Sequence, residues 1–130
     1  MNVTSHQGFG PAVPVLRIHD ATIAKAFYLD YLGFSVEWEH CFEPELPLYL
    51  RIHRGRTFLD LSEHHGDGVP GTVVWVPIGN VEALEAELAA RADMGIRPGT
   101  DQDAPGGPTL EVTDPFGNVL RFCEAVHWPK

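Results

Sequence analysis

"DPFGNVLRF", Asp114–Phe122, is the stretch on which the fold turns. Its first half is a tight turn: proline presets a turn φ, glycine tolerates positive φ, and Asp and Asn side chains bond nearby backbone. Its second half alternates and feeds a strand, "NVLRFCEA", while "TLEVTD" just upstream is another strand run. Working outward, "TVVWVPI" from Thr72 is a strand and Asn80 is positioned to cap a helix with Val81, Leu84 and Leu88 on one face. The Pro/Gly-rich "RPGTDQDAPGGP" between that helix and Thr109 reads as a loop with room for one short strand.

The first half follows the same order. Val13–Ile18 reads as a strand, and "DATIAKAFYLDYLG" as a helix capped by Asp20 and ended by Gly33, with Ile23, Ala26, Phe27 and Tyr31 at helical spacing. "FSVEWEH" from Phe34, "LPLYLRIH" from Leu46 and "RTFLDLSEH" from Arg56 are three strand runs, the last two joined by "RG". The chain is therefore expected to be α+β, built from two βαβββ modules whose element order repeats with little sequence identity. The expected boundaries are an N-terminal arm over 1–12, modules over 13–65 and 72–124, a linker over 66–71 and a tail over 125–130. "HHGDGVPG", from His64, supplies the turn-rich composition of that linker.

Composition narrows the function. A chain of 130 residues with 44% hydrophobic and 21% charged residues suits one soluble domain with a real core. Cys41 and Cys123 are far apart and form no C-x-x-C pair, so reduced structural thiols are expected rather than a disulfide framework or zinc knuckle. The formal charge of −9 argues against nucleic acid and would attract a cationic ligand. No secretory leader and no run of about 20 apolar residues is recognisable, which reads as a cytoplasmic protein without membrane partners.

"LRIHD" before a helix carrying "FYLDYLGF", then "FLDLSEHHGDG", then "DPFGNVLRF" resembles the glyoxalase/bleomycin-resistance/extradiol-dioxygenase superfamily, the vicinal oxygen chelate proteins, over Val13–Glu124. The resemblance implies paired modules around a concave cleft, where the superfamily's enzymes hold a metal through His, Glu or Gln. Carried onto this chain, the first-strand ligand position falls on Val13, the fifth-strand position on Val73 and the eighth-strand carboxylate position on Arg121. Valine offers no donor atom and arginine stays protonated, so neither a metal nor another cofactor is expected. The pattern is similar to the bleomycin-resistance branch: homodimers that sequester a drug in grooves lined by both subunits. "DAPGGP" lacks the aromatic residue that usually precedes "GG" in that branch, which argues against bleomycin itself as the ligand.

Strand alternation names the expected lining. Taking Val13, Val73 and Arg121 as markers, Val15 and Arg17, Trp75 and Pro77, and Val119 and Cys123 share their face. Tyr49, Arg51 and His53, and Phe58, Asp60, Ser62 and His64, turn to it because the intervening residues are aliphatic. Glu111 joins them. Trp38 shares alternation with Phe34 and Val36, which favours the core, but it stays a candidate for ligand contact. Rings with few polar groups make a small-molecule pocket, one suited to a planar aromatic ligand, and the net charge would favour a cationic one. The competing class is a metal-dependent glyoxalase- or dioxygenase-type enzyme with shifted ligands among His53, Asp60 and His64; a third is a metal-free enzyme using Asp60 or Glu111 as base. Glu82, Glu85 and Glu87 read as the wet side of the second helix.

Overall fold

The computed structural model describes residues 7–41, 43, 47–91 and 98–126. His6, His127, part of the "EHCFEPELP" segment, and the outer ends of the expected arm and tail lie outside these residues. The first module runs β1 (Val15–Arg17), α1 (Ala21–Lys25), a π-helical segment (Ala26–Tyr31), β2 (Ser35–His40), β3 (Tyr49–Arg54) and β4 (Thr57–Ser62). The second runs β5 (Val73–Pro77), α2 (Val81–Ala89), β6 (Thr100–Asp101), β7 (Thr109–Thr113) and β8 (Val119–Cys123). Each module forms one four-stranded sheet, ordered β1-β4-β3-β2 and β5-β8-β7-β6, with its first strand parallel to its last. The expected α+β architecture of paired βαβββ modules is what the chain adopts.

Both helices start as their sequences dictate. Asp20 accepts from the amide of Ile23 at 3.0 Å and Asn80 from that of Ala83 at 2.9 Å, each satisfying an amide the helix leaves unpaired. A second carboxylate serves each helix from the residue just past its module's last strand. Glu63 accepts from Ala21 N at 3.0 Å, and Glu124 from Val81 N at 2.9 Å. Glu63 also accepts from Leu48 N at 2.9 Å, so its carboxylate is committed to backbone. Backbone bonds repeat too: Ile18 N to Ser62 O and Ile78 N to Cys123 O, Glu63 N to Leu48 O and Glu124 N to Pro108 O, all at 2.9 Å. The modules thus superpose at an offset of about 60 residues, a repeat written in hydrogen bonds rather than in side-chain identity.

The first helix departs from expectation at Ala26, where it widens into a π-helical turn closed by Leu32 N bonding Phe27 O. The wider turn carries Phe27, Tyr28 and Tyr31 into the interior together. They pack with Leu16, Leu50, Ile52, Leu59 and Leu61 from the first sheet and Val76, Leu110, Val112, Leu120 and Phe122 from the second. Val81, Leu84 and Leu88 of α2 complete one continuous core. The helices cover one face of each sheet, and the other face is left for the site.

Two glycines are required where the chain passes close to a strand. Gly68, at φ +70°, would place a Cβ 2.8 Å from Val15 O, and Gly107, at φ +138°, one 2.3 Å from Glu124 O. No side chain fits either approach.

The acidic side of α2 is not simply wet. Glu87 accepts from Arg54 through both oxygens at 2.8 Å and from Arg91 at 2.7 Å, while the same arginines donate to Leu32 O and Tyr31 O at the end of the π-helical segment. Glu85 accepts from the Thr100 hydroxyl. The expectation for these two glutamates is therefore corrected: arginines from both modules converge on Glu87. Chiefly through the Arg54 hydrogen bond, its pKa lies below the ordinary carboxylate value. A carboxylate depressed in the fold stabilises it above its unfolded pKa, and that contribution disappears as pH falls through the folded value. Glu87→Gln is expected to lower stability by roughly 1 kcal/mol at pH 7, and urea melts at successively lower pH should show the two proteins converging as the carboxylate is protonated in the fold.

Candidate binding site on the exposed sheet face

Strand register sets the first sheet's outward face in rows. Val15 pairs with Asp60, Asp60 with Arg51 and Arg51 with Trp38; the neighbouring row is Arg17, Ser62, Tyr49 and His40. His53 and Phe58 form a further row and stack at 5.6 Å. The expected outward positions Arg17, Tyr49, Arg51, Phe58, Asp60 and Ser62 thus stand together, and Val13 lies just before β1.

Trp38 corrects the alternation argument. The register slips between Val36 and Trp38, and this irregularity puts Trp38 opposite Arg51 instead of carrying it to the core. Its ring stacks with Tyr49 at 5.7 Å and 11°, and the Arg51 guanidinium lies over it at 5.0 Å from the centroid. The ring stays 40% exposed.

Beneath this shelf sits the most constrained polar group of the face. Asp60 is only 2% exposed. It accepts from Arg51 Nε at 2.7 Å and Nη2 at 3.0 Å, and from the Tyr49 hydroxyl at 2.5 Å. The bidentate pair raises the Arg51 pKa, led by this hydrogen bond. Burial, then the bond to Asp60, pushes the Tyr49 phenol up to about 12, so it remains a donor at any working pH. Asp60 is occupied on both oxygens and is poorly placed to serve as a free base.

At one end of the face, Ser62 donates to Asp67 at 2.8 Å and accepts from His64 N at 3.0 Å. Trp38, His40, Tyr49, His64 and Asp67 line a depression of about 290 Å³ there. His40 and Asp67 were not singled out by the sequence; the linker's turn brings Asp67 under the shelf. Arg17 flanks this end of the sheet, with Nη1 buried and without a hydrogen-bond partner among the described residues.

The second sheet carries the remaining candidates. Trp75 pairs with Arg121 and Arg121 with Glu111, and Val73 lies one row away opposite Val119. Val73 is 49% and Trp75 41% exposed. Arg121 Nε donates to Glu111 at 3.1 Å, both side chains being half-exposed. By the repeat, Arg51–Asp60 and Glu111–Arg121 occupy equivalent cross-strand positions with their charges exchanged.

Metal chemistry does not fit these residues. Val13 and Val73 have no donor atoms, and Arg121 is a fixed cation held by Glu111. The shifted set is spread over the sheet: His53 faces Glu37 at 3.3 Å, Asp60 is taken by Arg51 and Tyr49, and His64 lies beyond β4. Among the described residues, no group of three or more His, Cys, Asp or Glu side chains gathers to hold a metal. No helix among them is long and apolar enough to cross a membrane.

The family model for glyoxalase superfamily proteins matches residues 2–128. The chain belongs to the glyoxalase superfamily. Among solved structures, this superfamily member is similar to the bleomycin-binding protein of bleomycin-producing Streptomyces verticillus, crystallised with copper(II)-bleomycin, at 28% identity and TM-score 0.66 over 88% of this chain and 95% of that one. It is similar in fold to a bleomycin resistance determinant encoded on transposon Tn5, at 19% identity and TM-score 0.71 over 92% and 100%. The trypanothione-dependent glyoxalase I of Leishmania major shares the fold as well, at 18% identity and TM-score 0.59 over 85% and 83%. No curated protein matches the chain. The fold thus hosts both drug binders and enzymes, and the choice between them rests on the residues of the face.

Proposed function

We propose that this superfamily member is a metal-independent binding protein that protects its host by sequestering a small aromatic antibiotic or metabolite. What supports the reading is an open aromatic face together with Val13, Val73 and Arg121 at the positions that the resemblance assigns to the metal ligands. Trp38, Tyr49 and Trp75 offer planes for stacking. The polar groups beside them, Asp60 with Arg51 and Glu111 with Arg121, are already paired with each other, so neither Asp60 nor Glu111 is a free base. The similarity to bleomycin-binding proteins supports this class of activity. The protein acts as a homodimer in the cytoplasm, and exposed Trp38, Val73 and Trp75 are the apolar surface that a second copy and the ligand would share. Titrating the chelator-treated protein with a panel of aromatic antibiotics tests this. Saturable quenching of tryptophan fluorescence, with the ligand recovered unaltered by mass spectrometry, is the expected result. A ligand that comes back chemically changed over repeated turnovers would transfer the protein to the enzymes of its superfamily.

A further inference from the structure

The depression at the end of the first sheet holds a carboxylate with no ion-pair partner among the described residues. It is lined by Trp38, Tyr49, His40, His64 and Asp67, the last bringing a carboxylate. Asp67 accepts from the Ser62 hydroxyl at 2.8 Å, and no cationic side chain pairs with it among the described residues. The neighbouring Asp60 differs in this respect, since Arg51 matches it through two hydrogen bonds. Trp38 keeps an exposed surface, and Arg51 over its ring shows that the indole accepts a cation in this setting.

From this juxtaposition we infer that the site selects a planar aromatic cation, its rings on the Trp38–Tyr49 shelf and its positive group at Asp67. The inference rests on the sequestration reading above and names the ligand class that reading leaves open. The size agrees: about 290 Å³ is at the small end of ligand pockets and suits two or three fused rings. The surroundings agree as well, because a chain of net charge −9 concentrates cations at its surface. Arg17 is the group that would argue for an anion. It flanks the site but does not line the depression.

A matched set of probes tests the charge at constant shape: 2-naphthamidine as cation, 2-naphthamide as neutral and 2-naphthoate as anion. Dissociation constants are measured by NMR titration of the full chain at pH 8. The amidine is expected to bind about tenfold tighter than the amide, with the naphthoate weakest and the largest shifts at the Trp38 indole. Asp67→Asn should bring amidine and amide to within about twofold of each other, and Trp38→Ala should weaken all three. A thermal melt of each variant separates lost binding from lost folding. Tightest binding by the naphthoate, or an amidine preference that survives in Asp67→Asn, overturns the inference. If the three probes bind alike at Trp38, or if an antibiotic binds while none of them perturbs Trp38, the selection for cations fails and sequestration stands. If neither probe nor antibiotic binds, both readings fall.

Discussion

Asp114→Ala is expected to lower the free energy of unfolding by about 3–5 kcal/mol, a large share of the 5–15 kcal/mol typical of a domain. Asp114 is 4% exposed. Within its own turn it accepts from Phe116 N and Asn118 N at 2.8 Å and from Asn118 Nδ2 at 2.9 Å. From the other module it accepts the Tyr28 hydroxyl at 2.6 Å. Asn118 Nδ2 also donates to Arg17 O at 3.0 Å, a second tie between modules. Burial first, then the charge and hydrogen bond of Asp114, hold the Tyr28 phenol far above its ordinary pKa, so it stays protonated and donating. Removing the carboxylate strands that hydroxyl and two turn amides at once. Tyr28→Phe removes one donor and should lose about 1–3 kcal/mol. Urea denaturation followed by circular dichroism measures both, and a loss under about 1 kcal/mol for Asp114→Ala would contradict this account of the module contact.

The second large effect concerns Arg51. Arg51→Met should lose about 3 kcal/mol or more, because Asp60 is left buried with only the Tyr49 hydroxyl against its charge. Adding Asp60→Leu to Arg51→Met should recover most of the stability, since an apolar pair of similar volume leaves no uncompensated charge. Thermal melts of the two single variants and the double variant form the cycle. If the double variant is no more stable than Arg51→Met, an orphaned Asp60 is not the source of the loss.

Much of this arrangement was legible in the sequence because it depends on neighbours along the chain. Asp20 and Asn80 announce their helices by the reach of a short side chain to an amide three residues on. Val74, Val76, Leu120 and Phe122 announce their inward face by simple alternation. Alternation leaves Trp38 between core and ligand contact because "SVEWEH" contains no glycine or other signal of the irregularity that turns it outward. The roles of Glu63, Glu87 and Glu124 were out of reach for another reason: each carboxylate meets partners more than 30 residues away. The same holds for the bond between Tyr28 and Asp114, which joins the two stretches most typical of the superfamily, "FYLDYLGF" and "DPFGNVLRF". Each motif reads locally as a helix end or a turn. Their meeting in the core is visible only once the two modules are packed.

The most direct test of the central claim, binding without metal or turnover, is to equilibrate the untagged protein with Zn, Mn, Ni and anaerobic Fe(II), desalt it, and measure metal per chain alongside the fate of a bound aromatic antibiotic. On the proposed assignment of the superfamily's ligand positions to Val13, Val73 and Arg121, well under one metal per chain should remain, affinity should be the same with chelator as with metal, and the ligand should be recovered intact. Retention of about one metal per chain together with catalytic loss of the ligand would contradict the account and mark this chain as an enzyme of its superfamily.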